Sequence, residues 1–134
     1  MQFEELTGKI LETAFEVSNE LGAGFLESVY EKSLLIALRA KGLSADSQIP
    51  LTVWFRGEVV GQFYVDILVE EKVILELKEV TALCPEHKAQ LLNYLKATGY
   101  PVGMLLNFGT PKLEYRRYDN RMIIHRDARD ARDL

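Results

Sequence analysis

The feature that most constrains this chain is the near-continuous apolar run Val102-Gly103-Met104-Leu105-Leu106-Asn107-Phe108, set between Pro101 and the turn Gly109-Thr110-Pro111. A run of that kind suits a strand buried on both faces. Ahead of it, Pro85 suits the first turn of a helix, where its missing N–H needs no partner. That helix carries Ala89, Leu91, Leu92 and Leu95 and stops at Gly99. A further strand, Val73-Ile74-Leu75-Glu76-Leu77-Lys78, precedes it. Strand, helix and strand in this order form a crossover.

Upstream the pattern is a meander. Ile49, Leu51, Val53 and Phe55 alternate with Pro50, Thr52, Trp54 and Arg56, which is the period of a strand. Arg56-Gly57-Glu58 predicts a hairpin turn, and a second strand follows over about 60–69. Its residues Phe63, Val65, Ile67 and Val69 alternate with Tyr64, Asp66 and Leu68. Two helices come first. Phe3, Leu6, Ile10, Ala14, Val17 and Leu21 fall at helical spacing, and Gly22-Ala23-Gly24 ends that helix. The second runs to about Lys41 with Leu26, Val29, Tyr30, Ser33, Leu34, Ala37 and Leu38 as its apolar stripe. Leu113 to Tyr118 reads as another strand, and Arg121 to His125 as an edge strand. A meander followed by a crossover implies an α/β (α+β) fold with a mixed central sheet flanked by helices.

The 134 residues suit one domain, expected over 1–125 with a charged tail over 126–134. With 48% hydrophobic residues and few turn-formers, the composition excludes disordered and low-complexity classes. No apolar run reaches the roughly 18 residues a membrane span needs. The start lacks the basic and apolar segments of a signal peptide, and Cys84 is the single cysteine. A cytoplasmic protein is expected. The net charge of −4 argues against gripping polyphosphate by bulk charge alone. That charge is uneven: residues 1–83 carry 7 basic and 14 acidic side chains, and residues 84–134 carry 9 and 6.

Glu76 and Lys78 stand two apart in an apolar strand and so project from one face, with Val73, Leu75 and Leu77 on the other. Taken alone, the pair is an ordinary ion pair on a sheet face. Asp66 changes that reading. If the intervening loop is centred on Glu71, Asp66 lies opposite Glu76, on the face it shares with Tyr64 and Leu68. A two-residue turn at Glu70-Glu71 would put it on the wrong face. Two such carboxylates repel unless one is protonated or a cation lies between them, and hard oxygen donors suit Mg²⁺ or Mn²⁺.

Asp66 followed by Glu76-Leu77-Lys78 resembles the D…(D/E)-x-K core of the PD-(D/E)XK nuclease superfamily. Gly24-Phe25-Leu26-Glu27-Ser28-Val29-Tyr30 is similar to the signature of a small bacterial branch, the GxxExxY proteins. The resemblance implies a restriction-endonuclease-like αβββαβ core with an extra N-terminal helix and one or more C-terminal strands. It implies Asp66 and Glu76 as metal ligands, with the Leu77 carbonyl a third and Glu27 reaching the metal directly or through water. Lys78 would be the catalytic lysine, beside Glu27, Asp66 and Glu76 as catalytic residues. Gln90 and Tyr94, four apart on one helix face, look like the Q-x-x-x-Y element of RecB-like nucleases and would support the site and the substrate strand, as would Tyr30. The superfamily's proline before the aspartate is Val65 here.

Other residues read as structural. His87 stays outside the core set and Cys84 is an idle thiol. Trp54, Tyr64, Tyr115 and Tyr118 are expected to pack rather than stack on bases. Arg116, Arg117, Arg121 and Arg126 are expected to keep the last strands soluble. The functional expectation is a Mg²⁺- or Mn²⁺-dependent nuclease acting on DNA in preference to RNA, either alone or as a homodimer. The alternative is a catalytically weak nuclease-fold module that binds nucleic acid or a protein partner.

Overall fold

The computed structural model describes residues 3–120, so the expected edge strand over 121–125 and the tail, with Arg121 and Arg126, lie outside the described residues. The order is α1 (Glu4–Leu21), α2 (Glu27–Ala40), β1 (Ala45–Phe55), β2 (Glu58–Val69), β3 (Val73–Lys78), α3 (Pro85–Thr98), β4 (Val102–Asn107) and β5 (Glu114–Asp119). The five strands form one sheet in the order β1-β2-β3-β4-β5. The meander pairs antiparallel, the α3 crossover makes β4 parallel to β3, and β5 returns antiparallel. The expected mixed sheet flanked by helices is the fold observed.

Two apolar layers hold it. On one face Ile10, Ala14 and Val17 of α1 and Tyr30, Leu34 and Leu38 of α2 pack on Leu75, Leu77, Met104 and Leu106. On the other face Leu91, Tyr94 and Leu95 of α3 pack on Leu51, Val65, Leu68, Ile74 and Leu105. β4 is buried along its whole length, which is why it reads as an unbroken apolar run rather than an alternation. β1 and β2 are joined by the two-residue turn Arg56-Gly57, both at positive φ (50° and 83°), with Phe55 opposite Glu58. That turn is one residue tighter than the sequence suggests, and its handedness matches the strand twist.

Among the described residues no helix is long and apolar enough to cross a membrane. Two aromatic expectations are overturned. Trp54 is 63% exposed and Tyr64 is exposed, so neither packs in the core. Both lie on the β1–β2 hairpin, Trp54 paired with Val59 and Tyr64 with Pro50. Tyr115, 41% exposed, meets Phe15 edge-on, and Tyr118 sits half-buried beneath the Lys88 ammonium, as a packing residue would.

Candidate active site

The loop between β2 and β3 is Glu70-Glu71-Lys72, the three-residue form that the site requires. Glu70 and Glu71 turn the chain at positive φ, 53° and 54°. The register that results pairs Val69 with Val73, Leu68 with Ile74 and Ile67 with Leu75. The next pair in that register is Asp66 with Glu76, and there the backbone ladder stops. Side chains take over. The Asp66 N–H donates to Glu76 Oε1 at 3.1 Å, and the Leu77 N–H donates to Asp66 Oδ2 at 2.8 Å. The strands therefore part at the point where the carboxylates stand, and each carboxylate caps the other strand.

Asp66 also marks a break in alternation that the sequence did not show. Val65 packs with Leu68 on the α3 side, and Phe63 meets the Tyr94 ring at 5.9 Å, while Ile67 and Val69 face α1 and α2. Two residues with odd numbers therefore switch faces across Asp66, so Tyr64 and Leu68 do not share a face as expected. Opposite Asp66 in β1, Gln48 takes positive φ (53°), and the pairing passes from Ser47–Ile67 to Ile49–Val65 in unchanged register with neither residue in it. At this level Asp66 lines the α2-side cleft while bonding across to β3.

The electrostatics follow from burial. Glu76 is only 4% exposed, and its carboxyl is pushed up to about 8, first by burial and then by the charge of Asp66. Burial also raises Asp66, opposed by the Leu77 N–H and by the Lys78 ammonium. Glu27, at the solvent-facing mouth, is raised by lost hydration on its cleft side, with Lys78 pulling the other way. At about 8, the Glu76 carboxyl holds a proton that carboxylates ordinarily give up at neutral pH.

α2 brings the acidic side chain of the mouth. Gly24 lies at φ 115°, a conformation that side chains resist, and turns the chain into the helix. Tyr30 is wholly buried, and its hydroxyl donates to the Gly22 carbonyl and accepts the Phe25 N–H at 3.2 Å. Its ring stacks on Phe108 at 4.8 Å. Tyr30 is thus an internal strut that fixes the Gly22–Phe25 bend, and Glu27 begins the helix directly after it.

A cleft of about 180 Å³ is lined by Glu27, Ser28, Glu31, Gln48, Asp66 and Leu77. Glu31 and Gln48 were not anticipated. Glu31 Oε1 accepts from Gln48 Nε2 at 2.7 Å, and Gln48 also bonds Asp66, so the pair props the aspartate from the α2 side. Glu31 follows Glu27 by one helical turn, which is the signal that could have found it. On the α3 side Lys78 Nζ donates to Gln90 Oε1 at 3.2 Å, and Gln90 bonds Tyr94, whose hydroxyl is raised by burial and then by Glu76 and Asp66.

Not every candidate converges. Asp66 and Glu76 are cross-bonded beside Lys78, but Glu27 joins them through charge rather than contact. Among the described residues no three His, Cys, Asp or Glu side chains form a ready-made metal cage. His87 is spent on its own helix, its Nδ1 accepting the Cys84 N–H at 3.1 Å. Arg117 bonds Thr7 and Asp119, and exposed Arg116 reaches Glu114 at 3.6 Å.

A family model of the PD-(D/E)XK nuclease superfamily matches residues 4–118. The chain belongs to that superfamily. Members generally use divalent metal ions, and nuclease-fold relatives act on nucleic acids. The crystal structure of SSO0001 is similar at TM-score 0.54 and 17% identity, over 73% of this chain and 54% of that one, so this chain spans about half its length. The alkaline exonuclease LHK-Exo from Laribacter hongkongensis gives TM-score 0.48 at 13% identity, over 96% and 77% of the two chains. Its complex with dAMP gives 0.48 at 12%, over 84% and 80%. No curated protein matches this PD-(D/E)XK chain.

Proposed function

We propose that this chain hydrolyses phosphodiester bonds of nucleic acid, DNA in preference to RNA, using Mg²⁺ or Mn²⁺ held by Asp66 and Glu76. The observation that carries the reading is the pair of cross-strand bonds that holds these carboxylates together beside Lys78. The donor set fits a hard divalent cation, because buried oxygens that now retain a proton would bind one in its place. The Leu77 carbonyl would be a further ligand, and Glu27 would act through water. Gly24, Glu27 and Tyr30, in their roles as bend, mouth and strut, favour the GxxExxY branch.

A cation bound there would polarise the scissile phosphate and acidify an attacking water. Lys78, held in place by Gln90, would offset the charge developing on the phosphoryl oxygens. Tyr94 and Gln90 would keep that ammonium turned toward the carboxylates rather than to solvent.

The test is cleavage of labelled single- and double-stranded DNA and RNA by purified protein with Mg²⁺ or Mn²⁺. Lys78→Ala and Asp66→Ala are each expected to lose on the order of 100-fold or more in rate. Calorimetric titration with Mn²⁺ gives a readout independent of activity, and Asp66→Asn is expected to abolish binding. Cleavage that survives both alanine variants would sink the mechanism. Duplex binding without metal and without cleavage would favour a binding module instead.

A further inference from the structure

Between the β1–β2 hairpin and α3 lies a groove of about 880 Å³, of which the chemistry described so far uses only Gln90 and Tyr94. Trp54 and Phe63 form one wall; Gln90 and Tyr94 of α3 line the other, with Glu86 and Lys96 also at its edge. Trp54 is 63% exposed and Phe63 44%, although both are large apolar side chains at mid-hairpin. Phe55, Val59, Val60 and Tyr64 of the same hairpin are exposed as well, spread over its two faces. So much exposed apolar surface on one hairpin is uncommon on a chain that binds nothing there.

A backbone feature accompanies each ring. The β1–β2 register shifts between Val53 and Trp54, and a bulge of this type re-aims a side chain. Phe63 lies across Gly61, where a side chain would meet the ring: a Cβ on Gly61 would come within 2.8 Å of Phe63 Cε2. The glycine therefore lets the Phe63 ring lie back along the strand, next to Tyr94.

Resting on the nuclease reading above, we propose that this groove seats unpaired nucleotides of the substrate strand, with their bases stacked on Trp54 and Phe63. The link to Lys78 points to that occupant. Gln90 lines the groove with Tyr94, and its Oε1 accepts from the Lys78 ammonium at 3.2 Å, so a strand lying in the groove passes beside that lysine. A second copy of the chain seated there would instead block the approach. Aromatic platforms stack any base, but a paired base offers its faces only to its neighbours in the duplex, so the groove selects single-stranded segments. Glu86 and Lys96 offset each other, so stacking rather than charge supplies the affinity, and the salt dependence is shallow.

Trp54 is the single tryptophan of the chain, which makes its fluorescence a direct report on the groove. Short oligodeoxythymidylate, titrated in EDTA to prevent cleavage, is expected to quench it to saturation. Phe63→Ala is expected to weaken that binding by about 5-fold to about 150-fold, the range for loss of one stacking platform. Trp54→Ala, followed by anisotropy of a labelled oligonucleotide, is expected to do the same. Ile36→Ser, at an exposed apolar side chain on α2, retains wild-type affinity. Thermal melts of both groove variants check that they fold.

Three results would overturn the proposal: no quenching, blunt duplex bound as tightly as the oligonucleotide, or wild-type affinity in both groove variants. Sedimentation showing self-association that Trp54→Ala abolishes would assign the groove to a second copy and overturn it too. The two readings fail separately. A wild-type protein that quenches but never cleaves sinks the nuclease reading, while one that cleaves with unaltered strand preference in Trp54→Ala sinks only the groove.

Discussion

Replacing Glu76 by glutamine removes a carboxyl that the fold holds far from its ordinary state. Its ionisation moves from 4.5 to about 8 on folding, because the side chain is buried and faces Asp66. Between those values the folded chain keeps a proton that the unfolded chain has released. Stability is therefore fully present below about pH 4.5 and is lost as pH rises toward 8. The gap is about 3.5 pH units, which at about 1.4 kcal/mol per unit gives an upper figure near 5 kcal/mol. Glutamine keeps the shape and can still accept the Asp66 N–H, but has no charge to desolvate. Glu76→Gln is thus expected to match wild type near pH 5 and exceed it by several kcal/mol at pH 9 in metal-free buffer. Urea unfolding at pH values from 5 to 9 measures this, with equal m-values required for the comparison. Saturating Mn²⁺ should restore wild type at pH 8 and do much less for the variant, since a bound cation replaces the proton. A stability difference that stays constant across the pH range would refute the reasoning, as would equal stabilisation of both proteins by the metal.

Other substitutions follow from single contacts. Tyr30→Phe removes a hydroxyl bonded to Gly22 and Phe25, and is expected to cost about 1–3 kcal/mol in urea unfolding and to lower cleavage by loosening Glu27. Asn107 is fully buried; its amide donates to Val80 and Glu114, and its Oδ1 accepts the N–H groups of Val80 and Gly109. Asn107→Ala orphans those groups and is expected to cost about 3 kcal/mol or more, read as a lowered urea midpoint. Gln90→Ala releases the Lys78 ammonium at an exposed position, so cleavage is expected to fall about 10-fold while the melting temperature stays within about 2 °C of wild type.

The order of the elements and their layering were legible in the sequence because they depend on local periods. Alternation marked β1 and β2, the unbroken run marked β4, and Pro85 and Gly99 bracketed α3. The same alternation put Glu76 and Lys78 on one face of β3, and of the two loops the sequence allowed, the one centred on Glu71 put Asp66 opposite Glu76. Each of these readings needs only a few consecutive residues. The rest rests on contacts between distant positions. That Asp66 also lines the α2-side cleft goes with a break in the alternation of β2, opposite Gln48 at positive φ in β1, which no local period announces. Tyr30 sits in a helical stripe like any core residue, and its task of bracing the Gly22–Phe25 bend exists only once that bend folds back over its hydroxyl. Trp54 and Tyr64 alternate as packing residues would, but both stay exposed, Trp54 on the wall of an open groove facing α3, and only tertiary structure sets what covers them. The sequence determined which groups can face one another across adjacent strands once a loop length is given, since that depends on local period and count. The tertiary structure decided which of them are buried, braced or left open, because burial depends on what the rest of the chain brings against them.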